Sequence, residues 1–230
     1  QTLLNKILIY KYSFLNTLIM KKFDLDIPLS GITLKGDLVI PEKATGIVVF
    51  SHGSGSSRFS PRNRMVAELI QKQNIATFMF DLLTEEEDHI NENRFNIDLL
   101  ANRLIETTQW LMEHEDTKSL LVGYFGASTG AASALRAAAH FREAIKAVVS
   151  RGGRPDLTLT ELPLVTAPTL LIVGGLDTPV IPMNKMAYDK LESVKDMKIV
   201  EGATHLFEEP GKLLEVADLA IDWYKKYLTK

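Results

Sequence analysis

Six short apolar segments, separated by stretches with helical spacing, restrict the possible folds of this chain more than any other feature. The first segment, 46–50, is continuously apolar, which is typical of a strand covered on both faces of a sheet. Comparable segments follow at 75–80, 119–124, 145–149, 169–173 and, with more polar residues, 197–200. Since helical patterns fill the gaps, the sequence predicts an α/β fold: a mostly parallel central sheet with helices on both faces.

Two further segments near the N-terminus have a different pattern. Between residues 23 and 27, Phe23, Leu25 and Ile27 alternate with aspartates, and a similar alternation covers residues 32–38 after a turn. A period of two residues is the signature of a strand with one buried face. We therefore expect these segments to form an antiparallel pair at an edge of the sheet.

Residues 1–20 are interpreted as an N-terminal extension of uncertain origin, and residues 21–230 as a single domain. Lys6 and Lys11 interrupt the extension, which therefore lacks the run of about 20 apolar residues that spans a bilayer. A signal peptide is disfavoured, since no small-residue cleavage site is visible. Two interpretations stay open: Met20 is the natural start after an added stretch, or residues 1–20 form an amphipathic helix.

Composition excludes several classes of protein. Of the 230 residues, 46% are hydrophobic and 24% are charged, which is close to the average for globular proteins and excludes disordered and multi-span membrane chains. With 26 basic and 29 acidic residues, the chain has no basic excess for nucleic acid. The absence of cysteine excludes disulfides and a cysteine nucleophile. We expect no nucleic-acid partner, no stable membrane insertion and a cytoplasmic location.

A serine between two glycines carries the first chemical signal. The pattern Gly126-Ala-Ser128-Thr-Gly130 follows the apolar segment 119–124 and precedes an alanine-rich helical stretch. This pattern is weak by itself, but between a strand and a helix it is typical of a nucleophile elbow, which presents a reactive serine. Ser128 is thus the predicted nucleophile. The alternative is an ordinary helix start with Ser128 or Thr129 as the N-cap.

The serine needs a base, and the base needs an acid. Among five histidines, His205 lies between the last apolar segment and the last helix, where this fold class builds its sites. Asp177 follows the apolar segment 169–173 and is the candidate acid, with Asp156 as the alternative. Each has a simpler explanation: His205 could bond only to backbone, and Asp177 could cap the helix that begins near Pro179.

A glycine-rich loop follows the first fully apolar segment. It contains His52-Gly53-Ser54-Gly55, and such a loop lets backbone N–H groups approach a substrate oxygen. We expect the N–H groups of Ser54 and Thr129 to form an oxyanion hole, and His52 to hold the loop. The phosphate-binding pattern of a P-loop is absent.

Together these segments resemble an α/β-hydrolase of the dienelactone hydrolase-like branch, over residues 21–230. The resemblance rests on residues 52–55, 126–130, 174–177 and 202–205, in that order. It implies a Ser128–His205–Asp177 triad, an acyl-enzyme intermediate, and no metal or cofactor. Dienelactone hydrolase proper uses a cysteine nucleophile, which this chain lacks, so dienelactone is not the expected substrate.

The expected function is hydrolysis of small or short-acyl carboxylic esters, with a small-molecule ester as the substrate. The sequence leaves the oligomeric state open. A thioesterase, a serine peptidase and a non-catalytic binding protein of the same fold stay open as alternatives. The segment 151–168 is too short for a large cap domain, which predicts an open site. Arg151 and Arg154 leave the sheet on the side of the predicted triad, so one of them could contact a substrate carboxylate; the alternative is that both pair with nearby acids. The acidic stretch 85–88 is predicted to be a solvated loop rather than a metal site.

Overall fold

The computed structural model describes residues 19–228. Within them, eight strands form one sheet, in the order β1-β2-β4-β3-β5-β6-β7-β8. Strands β3 to β8 run parallel to one another, whereas β2 pairs antiparallel with both β1 and β4. Their bounds are β1 (Met20–Leu29), β2 (Ile32–Pro41), β3 (Gly46–Ser51), β4 (Ala76–Phe80), β5 (Leu121–Ala127), β6 (Ile145–Arg151), β7 (Thr169–Gly174) and β8 (Lys195–Val200).

Helices occupy the stretches between the strands, as their apolar spacing predicts. The α-helices are α1 (Pro61–Gln71), α2 (Glu85–Asp88), α3 (Ile97–Glu113), α4 (Thr129–Phe141), α5 (Val180–Lys190) and α6 (Lys212–Tyr227). Short 3-10 helices lie at Asn91–Phe95, Arg142–Ala144, Pro155–Thr158 and Leu162–Leu164. The predicted α/β architecture is confirmed, and so is the antiparallel β1–β2 pair at the sheet edge. The interpretation of residues 1–18 lies outside the described residues.

The sheet is covered on both faces, which explains why the central strands are continuously apolar. Ile47 and Val49 belong to one core cluster, together with residues of α3 and α4. Val48 and Phe50 belong to the other, together with residues of α1 and α6. Since successive strand residues point to opposite faces, every residue of β3 is buried. Because strands β3 to β8 run parallel, their carboxyl ends lie at one edge, where loops can build a site.

The connection after β6, where a cap domain could be inserted, is short. Between β6 and β7 the chain forms only two short 3-10 helices, so no large cap domain is inserted there, as predicted. The acidic stretch 85–88 is not a loop: it is the one-turn helix α2, in which Thr84 and Glu87 cap each other. From residue 19 to residue 228, no helix is long and apolar enough to cross a membrane.

Candidate active site

Ser128 occupies a strained turn between β5 and α4. Its φ of 52° and ψ of −123° lie in a region of backbone conformation that residues other than glycine rarely adopt. The turn is tight because the start of α4 lies directly against the strands. A Cβ at Gly130 would lie 2.1 Å from the carbonyl oxygen of Ser51, and one at Gly126 would lie 2.5 Å from the Cα of Ala131. The two glycines of the motif are therefore required by contact, and they leave the Ser128 side chain at the strand end.

His205 connects Ser128 to Asp177 through its two ring nitrogens. Nδ1 lies 2.7 Å from Asp177 Oδ2, and Nε2 lies 3.2 Å from Ser128 Oγ. Because a carboxylate only accepts hydrogen bonds, Nδ1 carries the proton of the neutral ring. Nε2 then presents its lone pair to the Ser128 hydroxyl, which donates to it. This orientation is the one required of a base that takes a proton from serine.

The loops after β7 and β8 pack closely, and this fixes the distance between the acid and the base. A Cβ at Gly174 would lie 2.4 Å from the carbonyl oxygen of Ala203. Phe207 is fully buried and adopts a left-handed backbone with φ of 56°, which anchors the segment after His205. The backbone carbonyl oxygen of Asp177 accepts a hydrogen bond from the N–H of Val180, so Asp177 also stabilises the start of α5.

Asp156, the alternative acid, is engaged elsewhere. Its two carboxylate oxygens accept from Nε and Nη2 of Arg154 at 2.9 and 2.8 Å. This bidentate pair orients Asp156 toward the guanidinium. The structure thus brings Asp177, and not Asp156, to the ring of His205.

The glycine-rich loop after β3 lies against the serine. A Cβ at Gly53 would lie 3.0 Å from Cβ of Ser128, so only a glycine fits without displacement. The Ser54 N–H donates to Thr129 Oγ1 at 2.9 Å. Thr129 is the first residue of α4, and its own N–H has no acceptor within the helix. The structure brings both predicted N–H donors beside Ser128, and shows that one of them has a side-chain partner.

His52 has a structural position in this loop. Its Nδ1 lies 3.0 Å from the carbonyl oxygen of Gly53, and its Nε2 accepts the N–H of Leu82 at 3.1 Å. Burial lowers the pKa of His52 from its ordinary value, mainly because the charged ring would lose its hydration. The neutral ring therefore ties the loop after β3 to the loop after β4, which agrees with the holding role expected from the sequence.

The cleft at Ser128 has a volume of about 390 Å³. That is within the range of small-molecule sites, roughly 300–1,000 Å³. Its lining residues are Ser54, Phe95, Ser128, Thr129, Arg154, Leu157, Val180 and His205. A larger cleft of about 760 Å³ lies between β2 and the loops after β3 and β4, but neither Ser128 nor His205 lines it. The chemistry points to the smaller cleft.

Three lining residues, Phe95, Leu157 and Val180, were not singled out from the sequence. Phe95 and Leu157 are apolar residues in polar connecting segments, and Val180 is the first residue of α5. Their positions depend on how the connections after β4, β6 and β7 fold at the carboxyl ends of the strands.

The two arginines after β6 differ. Arg154 lines the cleft and pairs with Asp156, whereas Arg151 is buried away from the cleft and donates to Asn63 Oδ1 at 3.2 Å. Burial, and secondarily the charge of Arg62, lowers the pKa of Arg151 to about 10. The expectation that Arg151 could meet a substrate is therefore wrong, because its side chain enters the core beside Phe207 rather than the cleft.

Comparison with known proteins assigns the chain to a protein family. Residues 35–227 match the profile of the dienelactone hydrolase family, and the chain belongs to that family. Its sequence is 54% identical to that of a dienelactone hydrolase from Anabaena variabilis whose crystal structure is known. The two structures superpose with a TM-score of 0.89, over 91% of this chain and 99% of the other. An esterase from Pyrococcus furiosus, at 17% identity, shares the fold with a TM-score of 0.73 over 91% of this chain and 92% of that one.

A curated relative from Mycobacterium tuberculosis is 56% identical over 197 residues, which are 86% of this chain. It carries the provisional name of a phosphoribosyl transferase. The aligned part is only 44% of that protein, so this chain spans less than half the length of the relative it matches.

Proposed function

We propose that this chain is a serine hydrolase that cleaves carboxylic esters of small molecules. The observation that carries the proposal is the hydrogen-bonded series from Asp177 to His205 to Ser128, with the serine on a strained turn at the start of a helix. Membership of a hydrolase family supports the reaction class. The phosphoribosyl transferase name belongs to a longer protein, most of which lies outside the aligned part.

The proposed reaction has two steps. Ser128 Oγ attacks the ester carbonyl while His205 Nε2 accepts its proton, and His205 then protonates the leaving alcohol as the carbon–oxygen bond breaks. His205 next takes a proton from water as the water oxygen attacks the acyl carbon. It then gives this proton to Ser128 Oγ as the bond between the serine and the acyl group breaks and the acid leaves. Asp177 keeps the ring in the required tautomer and stabilises the imidazolium through Nδ1. No metal or cofactor takes part in these steps.

The developing oxyanion would lie beside the N–H groups of Thr129 and Ser54. The helix N-terminus supports the first of these donors, since unpaired N–H groups and the helix dipole favour negative charge there. When the oxyanion forms, the Ser54 N–H donates to it, either in place of Thr129 Oγ1 or to both oxygens at once. Because an oxyanion is a stronger acceptor than a hydroxyl, this exchange favours the transition state over the free enzyme.

The size of the cleft supports small substrates. It holds about 390 Å³ and no large cap domain extends it, so a long acyl chain has little wall to lie against. We therefore propose a short-acyl carboxylesterase acting in the cytoplasm. Thioesters and peptides would follow the same steps, and rates over a matched panel of esters, thioesters and peptides decide among them.

Labelling with a fluorophosphonate probe tests the proposal directly. The probe should modify the wild-type protein on Ser128, and Ser128→Ala should abolish labelling and lower ester turnover by several orders of magnitude. Ser56→Ala, in the neighbouring glycine-rich loop, is a matched control that should keep both. Near-wild-type esterase activity in Ser128→Ala would show that the nucleophile is elsewhere.

A further inference from the structure

Three apolar residues from separate connections contribute to the lining of the cleft, and we refer to them as its apolar side. Phe95 ends the 3-10 helix after α2, Leu157 lies in the 3-10 helix after β6, and Val180 begins α5. Phe95 is 55% exposed and Leu157 is 39% exposed, although both are large apolar residues. Single exposed apolar residues are common, but several that meet beside a reactive group indicate a binding surface.

The segment that presents Phe95 is anchored. Arg94 forms a bidentate pair with Asp88 at 2.9 and 2.8 Å, and the Asn93 side chain donates to the carbonyl oxygen of Glu87. On the other side, Asn96 accepts the N–H of Leu99 and caps α3. These contacts hold the chain on both sides of Phe95, whose ring lines the cleft and is more than half exposed. A segment that is already held needs less ordering when a ligand binds.

The other lining residues are polar. Besides Ser128 and His205 they are Ser54, Thr129 and Arg154, and Asp156 fixes the guanidinium of Arg154. The cleft that contains the reacting Ser128 therefore offers both polar and apolar groups. An ester bound with its carbonyl at Ser128 would place one of its two arms, acyl or alcohol, against Phe95 and Leu157.

From this arrangement we infer that the apolar side of the cleft selects esters that carry a flat aromatic ring, and that Phe95 is the residue that determines this specificity. The inference rests on the proposed esterase function. A ring of the substrate can stack in an offset or edge-to-face arrangement on Phe95, and such pairs bind more strongly than the buried area alone predicts. An alkyl group of similar size gains only the burial.

Matched ester pairs test this specificity without changing the reacting centre. One pair varies the acyl arm, methyl 3-phenylpropanoate against methyl 3-cyclohexylpropanoate. The other varies the alcohol arm, 2-phenylethyl acetate against 2-cyclohexylethyl acetate. In at least one pair, kcat/KM should favour the phenyl ester by about three- to tenfold, and Phe95→Leu should bring that ratio close to one. The change should appear mainly in KM, because the ring is bound equally in the ground and transition states.

Two variants serve as controls. Phe59 is 52% exposed and lines the larger cleft away from Ser128, so Phe59→Leu should keep the wild-type ratio. Phe95→Tyr retains a ring and should keep most of the preference. Since Phe95 is exposed, the melting temperature of Phe95→Leu should stay near that of the wild type, which separates a specificity effect from a folding defect.

The outcomes separate this inference from the proposed function. If the fluorophosphonate probe labels Ser128 and esters are hydrolysed, but neither pair shows a phenyl preference, the inference fails alone. A preference that survives in Phe95→Leu also overturns it. If Ser128 is not labelled and no ester is hydrolysed, the inference fails together with the proposed function.

Discussion

Two histidines follow strand ends at the same edge of the sheet, yet their surroundings are opposite. His52 follows the central strand β3, and both of its ring nitrogens are occupied by backbone groups of Gly53 and Leu82. His205 follows the edge strand β8, and its nitrogens face the side chains of Asp177 and Ser128. A backbone N–H that uses the lone pair of a histidine removes it from proton transfer. In both residues the difference is at Nε2, which faces a backbone N–H in His52 and the Ser128 hydroxyl in His205. The partner of Nε2 therefore distinguishes a structural histidine from a candidate base.

The position of each strand explains the difference. The loop after β3 is enclosed by the loop after β4, and only 7% of His52 is exposed. The side chain of His205 is 37% exposed, because β8 has a neighbour on one side only. A base must exchange protons with substrate and water, whereas a ring that ties two loops together gains from burial. Three predictions probe this comparison.

The largest expected effect concerns the carboxylate behind His205. Asp177→Asn keeps the shape of the side chain but lets Nδ1 accept, so that Nε2 carries the proton and cannot take one from Ser128. We expect kcat for ester hydrolysis to fall by about 10⁴. Asp156→Asn, the matched control, should cost little, since Asp156 pairs with Arg154. If Asp156→Asn lowered kcat more than Asp177→Asn, the acid would be Asp156, in the loop after β6.

The next effect concerns stability. His52→Leu leaves the buried N–H of Leu82 without its acceptor, which should lower the free energy of unfolding by about 1–3 kcal/mol. His205→Leu should change it by about 0.5 kcal/mol or less, because the side chain is partly exposed, while it removes the activity. Urea denaturation measures both values. Equal losses in the two variants would contradict the division into a structural and a reactive histidine.

The smallest effect is a pH dependence of stability. Because burial lowers the pKa of His52 in the folded chain below its ordinary value of 6.5, the unfolded chain takes up a proton first as the pH falls. The contribution of the neutral ring is fully present above pH 6.5 and declines below it, by at most about 1.4 kcal/mol per pH unit.

Since His52→Leu lacks this ring, its stability deficit against the wild type should narrow between pH 7 and pH 5. Unfolding curves measured in urea at several pH values show the trend. Two stability profiles that run parallel over this range would mean that His52 does not titrate differently in the folded and unfolded chain.

Local sequence patterns determined the architecture and the residues that meet at its edge. Continuous apolar segments define strands covered on both faces, and parallel strands end at one edge. Ser128, Asp177 and His205 could be predicted to meet there because each lies in the loop or turn that follows a strand end. The glycines around Ser128 also predicted the tight turn, since any side chain at Gly126 or Gly130 would collide with neighbouring backbone.

Only the tertiary structure decided which polar groups find partners and which side chains reach the cleft. The Ser54 N–H bonds to Thr129, 75 residues away along the chain, and Arg151 donates to Asn63, 88 residues away. Phe95 lines the cleft because the connection after β4 folds back across the strand ends. Periodicity reports the face that a residue presents within its own element. Contacts between distant loops depend on how the elements pack, and no local pattern records that.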